Sequence, residues 1–106
     1  MYQYIITFRL EASASYQERY NDLMRNFEKC FSNTFIDNTT STLFANSWKH
    51  DIDCAINDFI SSLKLNKSDE ILISCLHDKK IKKVIRFTNG EILNDIKIDN
   101  IFEINN

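Results

Sequence analysis

The stretch YQYIITFRL, residues 2–10, decides how the rest of the chain reads. Tyr2, Tyr4, Ile6, Phe8 and Leu10 alternate with Gln3, Ile5, Thr7 and Arg9, a period of two. That is the pattern of a strand with one face against a core. Large apolar groups at every second position place it inside a sheet rather than at an edge. Its far end delivers Arg9 and Glu11 to a strand–helix junction, a common location for chemistry.

Residues 11–14 connect this strand to a helix. Ser15 and Glu18 stand at capping-box spacing, which predicts a helix start at that point. Tyr16, Tyr20, Leu23, Met24, Phe27 and Phe31 follow at helical spacing, with charges between them. The aromatic stripe reads as core. Residues 31–34 break the period, and two short strands are expected over 34–37 and 41–46, joined by a hairpin through Asn38, Thr39 and Thr40. Ser47 or Asp51 is placed to cap a second helix, whose stripe is Ile52, Ala55, Ile56, Phe59, Ile60 and Leu63. Residues 70–76 (EILISCL) are short and apolar, an inner strand. The order strand, helix, strand, strand, helix, strand is the split βαβ arrangement of ferredoxin-like folds. Such a sheet carries both helices on one face, and its other face holds Ile5 and further apolar groups. A homodimer covers that face most simply, because one patch then covers its own copy. Beyond residue 80, 84–87 are strand-like and Asn89-Gly90 is a strong hairpin signal. Ile92 and Leu93 begin a return strand, and Ile96, Ile98, Ile101, Phe102 and Ile104 remain to be buried.

At 106 residues the chain has room for one core. Residues 1–78 are expected to form it, with 79–106 adding strands at a sheet edge. The apolar share of 43 %, including 15 isoleucines, predicts a folded globule. A net charge of −2 offers no global attraction to nucleic acid. Residues 77–87, however, hold Lys79, Lys80, Lys82, Lys83 and Arg86 against Asp78 alone, a local charge of +4. Cys30, Cys54 and Cys75 are odd in number and lack C-x-x-C spacing, as expected of reduced thiols in a cytoplasmic protein. Two histidines 27 residues apart argue against a zinc site. No apolar run approaches membrane-spanning length, and no signal peptide is expected. One glycine and no proline speak against phosphate-cradling loops.

The order of these elements, with several local motifs, resembles a family. The motifs are residues 4–10 of the first strand, the Tyr16/Tyr20/Leu23 helix, Ser41-Thr42-Leu43, and residues 69–73 (DEILI). Over roughly residues 2–76 the chain resembles the small ferredoxin-like proteins related to the CRISPR adaptation endoribonuclease, among them the SinR-like and VapD-like bacterial proteins. The resemblance implies a bacterial defence or toxin context. Members usually end the first strand with an aromatic–Asp–Leu triplet, whose aspartates from two subunits bind a divalent metal for phosphodiester cleavage. Here the triplet reads Phe8-Arg9-Leu10. An arginine cannot ligate magnesium, and it reverses the charge at the expected metal position. Glu11 would reach the same face as Arg9 only if the strand continued.

Two groups of residues are candidate binding sites. Arg9 either pairs with Glu11 or a partner's acid, or contacts phosphate, which a planar guanidinium suits. The cations Lys79, Lys80, Lys82, Lys83 and Arg86 either protect a sheet edge or contact a nucleic-acid backbone. Only Phe87 lies among them, so base stacking on single strands is not implied. His77-Asp78, a Cys75–His77 dyad and the helix-start acids Asp51 and Asp53 read more simply as structure.

The expected protein is therefore an α+β domain: a ferredoxin-like βαββαβ antiparallel sheet with two helices on one face and a C-terminal β-hairpin extension. Its expected role is a non-catalytic homodimer that binds RNA, DNA or a protein partner, without membrane, metal or cofactor. The alternatives are a toxin-like endoribonuclease, for which alone magnesium would be the cofactor, and a homodimer that binds only protein.

Overall fold

A computed structural model describes residues 2–37, 39, 41–47 and 52–93, with the side chains at 47 and 52–56 outside that description. The chain runs β1 (Tyr2–Arg9), α1 (Tyr16–Cys30), β2 (Phe35–Asp37), β3 (Thr42–Ser47), α2 (Ile52–Ser61), β4 (Glu70–His77), β5 (Lys80–Thr88) and β6 (Glu91–Leu93). The strands form one six-stranded sheet in the order β2-β3-β1-β4-β5-β6, with every neighbouring pair antiparallel. The fold is α+β, and β1, whose period predicts an inner strand, lies third of six.

The period of two in β1 becomes burial on one face only. Tyr4 and Ile6 are buried, and Tyr2 and Phe8 are half-buried against the same core. Across the sheet they join Leu43, Ala45, Ile71, Ile73, Cys75, Ile85 and Phe87. Helix α1 lays Leu23 and Phe27 on this face, and α2 adds Phe59 and Ile60. Three phenylalanines close the layer: the Phe27–Phe59 and Phe31–Phe59 rings meet edge-on at 6.3 and 5.3 Å, and Phe31 meets Tyr4 at 4.9 Å. Edge-on approach suits the aromatic quadrupole and binds both helices to the central strand.

Three turns are set by residues that accept positive φ or bond their own backbone. Asn89 and Gly90, at φ 52° and 78°, form the turn between β5 and β6. Asp78 and Lys79, at φ 52° and 62°, form another between β4 and β5. Little in the local residues marks the second, so β5 begins at Lys80, four residues earlier than its apolar signal. Between β2 and β3, Thr39 donates its N–H and hydroxyl to Asp37 Oδ1 at 2.9 and 2.6 Å.

Two expectations for α1 are corrected. Ser15 occupies the N-cap but makes no capping bond; its Oγ accepts instead from Arg19 Nε at 3.0 Å, and Glu18 turns outward to Lys64. The aromatic stripe is not core along its whole length: Tyr16 is exposed and Tyr20 half-buried. The buried face includes the polar residues Arg19, Asp22 and Asn26. Asp51 as a helix cap and the apolar residues Ile96, Ile98, Ile101, Phe102 and Ile104 lie outside the described residues, as do the side chains of Ile52, Ala55 and Ile56 in the helix stripe. Among the described residues no helix is long and apolar enough to cross a membrane.

Candidate functional site

Strand register sorts the candidate residues by face. On the side away from the helices, Arg9 of β1 stands beside Glu70 of β4, and Thr7 beside Leu72. Leu72 in turn faces Arg86 of β5. Arg9, Thr7, Glu70, Leu72 and Arg86 thus line one shallow depression of about 200 Å³. Glu70 is held in place by Thr88, whose hydroxyl donates to Oε1 at 3.1 Å. Among the described residues neither Arg9 nor Arg86 forms an ion pair. Further along this open face, Phe35, Phe44, Ile5 and Ser74 run side by side across four strands. Phe35 is 63 % exposed and Phe44 37 %, with their rings 6.0 Å apart. A sheet face of this kind is amphipathic rather than polar.

On the helix side of the same strand end lies a buried ion pair that periodicity does not reveal. Arg19 is 4 % exposed and Asp69 0 %. Arg19 Nη1 donates to both carboxylate oxygens of Asp69 at 2.5 and 2.6 Å. Asp69 also accepts from the N–H of Glu11 at 2.7 Å and of Asn66 at 2.8 Å. The rest of the guanidinium donates to the Glu11 carbonyl at 2.5 Å and to Ser13 Oγ and Ser15 Oγ, each at 3.0 Å. Charges taken out of water need partners of this number and quality. The network locks the β1–α1 junction to the loop before β4. One signal of it is local: Arg19 falls on the apolar side of α1, one turn ahead of Leu23. A second polar staple repeats the idea, with Asp22 Oδ2 accepting from the N–H of Lys64 at 2.9 Å.

That network also disposes of the continued strand through Glu11. β1 stops at Arg9, and the Glu11 backbone is taken up by Asp69 and Arg19. Among the described residues no three of the types His, Cys, Asp and Glu are grouped to hold a metal ion.

The basic stretch is divided. Lys79 is in the turn, and Lys80 opposes His77 at the start of β5. A register shift opposite Cys75 and Leu76 makes Lys82 the extra residue of a bulge. Lys83 pairs with Cys75 on the helix side and is half-buried, whereas Arg86 is on the open face. Lys79, Lys80 and Lys82 are exposed and gather at one corner of the sheet. Arg9 is at the other end of β4, about 24 Å away at about 3.4 Å per residue. The cations contiguous in sequence are therefore not one surface, and Arg9 joins only Arg86.

Cys75 is fully buried beside Tyr4, its cross-strand neighbour. Burial pushes its thiol up to about 11, the reverse of what a nucleophile needs. Burial likewise raises the Tyr4 hydroxyl. His77 stacks on Tyr2 at 4.6 Å and lies 3.5 Å from the Asp78 carboxylate. These contacts give His77 a structural explanation.

The fold class that this geometry defines is an α+β domain, one six-stranded antiparallel sheet with two helices. No protein-family model, curated protein or solved structure matches the chain.

Proposed function

We propose that this chain is a non-catalytic, homodimeric nucleic-acid-binding module built on a ferredoxin-like fold. The order β2-β3-β1-β4 with a helical crossover on each side supports the ferredoxin-like reading. In that description β5 and β6 are the C-terminal hairpin extension. The resemblance to the SinR-like and VapD-like proteins adds a bacterial defence or toxin setting to the proposal.

The observation that carries the binding role is the corner formed by Lys79, Lys80 and Lys82. All three are exposed and, among the described residues, none is paired with an acid. The neighbouring carboxylate, Asp78, is turned to His77. A two-residue turn and a bulge hold these ammonium groups on a defined backbone, where they attract phosphate without reading sequence. Arg9 has no part in this corner. Its charge disfavours a hard cation where the nuclease reading would need one.

Binding of labelled RNA and duplex DNA, titrated against salt, tests the reading. Affinity is expected to fall steeply with salt. Replacing Lys79, Lys80 and Lys82 by glutamine should flatten the slope by about 0.9 for each duplex phosphate no longer neutralised. No binding at low salt defeats the nucleic-acid role. Magnesium-dependent RNA cleavage that disappears in Glu11→Ala defeats the non-catalytic one.

A further inference from the structure

The first turns of α1 hold two tyrosines that the core does not take up. Tyr16 is 38 % exposed and Tyr20 half-buried, one helical turn apart. Their rings are 6.2 Å apart and within 18° of parallel. Phe8, near the end of β1, meets Tyr20 at 6.2 Å and 56°. The parallel pair and the tilted ring thus make two aromatic walls set at an angle. Gln17 of α1, Ile36 and Asp37 of β2, and Ser41 before β3 complete a cavity of about 310 Å³. Aromatic groups gathered around a concavity, rather than scattered over a surface, mark a binding site.

The chemistry of the lining decides what enters. Among the described residues that line the cavity, Asp37 carries the only formal charge. Its carboxylate is fixed at the end of β2 by Thr39, whose N–H and hydroxyl both donate to Oδ1. An anion is repelled there, and a neutral apolar ligand gains from the rings alone. A cation gains twice, from the negative faces of the rings and from the carboxylate. The cavity is near the lower end of the size range of small-molecule sites, so the cation is compact. A methylated ammonium suits it best, because it has no N–H donors to leave unpaired against aromatic walls.

We propose that Phe8, Tyr16, Tyr20 and Asp37 form a binding site for a small alkylammonium molecule, with the cation seated against the rings and Asp37 as its counter-charge. The site does not rest on the nucleic-acid reading. Phe8 pairs with Ile71 near the start of β4, whereas the exposed lysines gather at the other end, by His77.

Choline is the test ligand, titrated into the full chain by NMR. Its neutral carbon analogue, with a tert-butyl group in place of trimethylammonium, is the control. The choline methyl signal should move upfield from the ring currents, and the neutral analogue should bind roughly 5- to 30-fold more weakly. Tyr16→Ala should lose a similar factor and Tyr16→Phe should keep the affinity, with folding checked by circular dichroism. Asp37→Asn should weaken choline and leave the analogue unchanged, a split that a merely structural defect does not produce. Equal binding of choline and its analogue overturns the cation site, as does no choline binding at tens of millimolar. Adenosine monophosphate that displaces choline overturns it in favour of a stacked base. A trimethyllysine peptide that binds more tightly than choline overturns the small-molecule source.

Discussion

Asp69→Asn removes one charge and almost no volume, which makes it the sharpest probe of how this fold is held. Asp69 is fully buried and serves as acceptor for Arg19 and for the N–H groups of Glu11 and Asn66. The amide keeps one acceptor oxygen. Its NH₂ group, however, must face one of the existing donors, and the Arg19 guanidinium is left buried without a counter-charge. Breaking a buried pair from one side costs about 3–5 kcal/mol, most of it the desolvated charge left behind. Each kcal/mol lowers Tm by about 4–8 °C in a domain of this size, so a fall of roughly 12 °C or more is expected. Urea unfolding should show the midpoint moving with little change in slope, because the native fold and its buried surface stay the same. The companion double variant, Arg19→Met with Asp69→Asn, should recover much of the loss, since no unpaired charge remains and the amide oxygen still accepts a backbone N–H. A loss below about 1 kcal/mol for Asp69→Asn, on the scale of an exposed pair, would refute the reasoning.

Two further outcomes depend on single residues. The Cys75 thiol, pushed up from 9.0 to about 11, keeps its proton in the folded protein after the unfolded chain has lost it. Stability should therefore be flat with respect to this group below pH 9 and should decline from there towards pH 11, by about 1.4 kcal/mol per pH unit. Comparing urea midpoints of wild type and Cys75→Ala across that range checks it: the variant should lose less. Gly90→Ala should cost about 1 kcal/mol in the same assay, because Gly90 sits at φ +78° where a Cβ is strained. Steric crowding is not the cause, since the added Cβ would meet only the flexible Lys67 side chain at 3.4 Å.

The elements with strong periodicity were legible because periodicity reports a face, and a face reports burial. Residues 2–9, α1, the β2–β3 hairpin and β4 appear within a residue or two of where their patterns put them. The Asp78-Lys79 turn was not legible, because neither residue is a strong turn signal and the lysines around it masked the start of β5. Arg19 falls on the apolar side of α1, but Asp69 stands between Ser68 and Glu70 and carries no such signal. They are 50 residues apart, and nothing local says that they meet.

By itself the sequence determined which residues make strands and helices, which face of each is apolar, and that the first strand ends in Arg9 rather than an acid. These are local properties, set by spacing and side-chain chemistry. Only the tertiary structure decided which cations share a surface, because strand register and a single bulge send neighbours in sequence to opposite faces. It separated Arg9 from the lysines, set it beside Glu70 and Arg86, and placed the ion pair of Arg19 and Asp69 behind it.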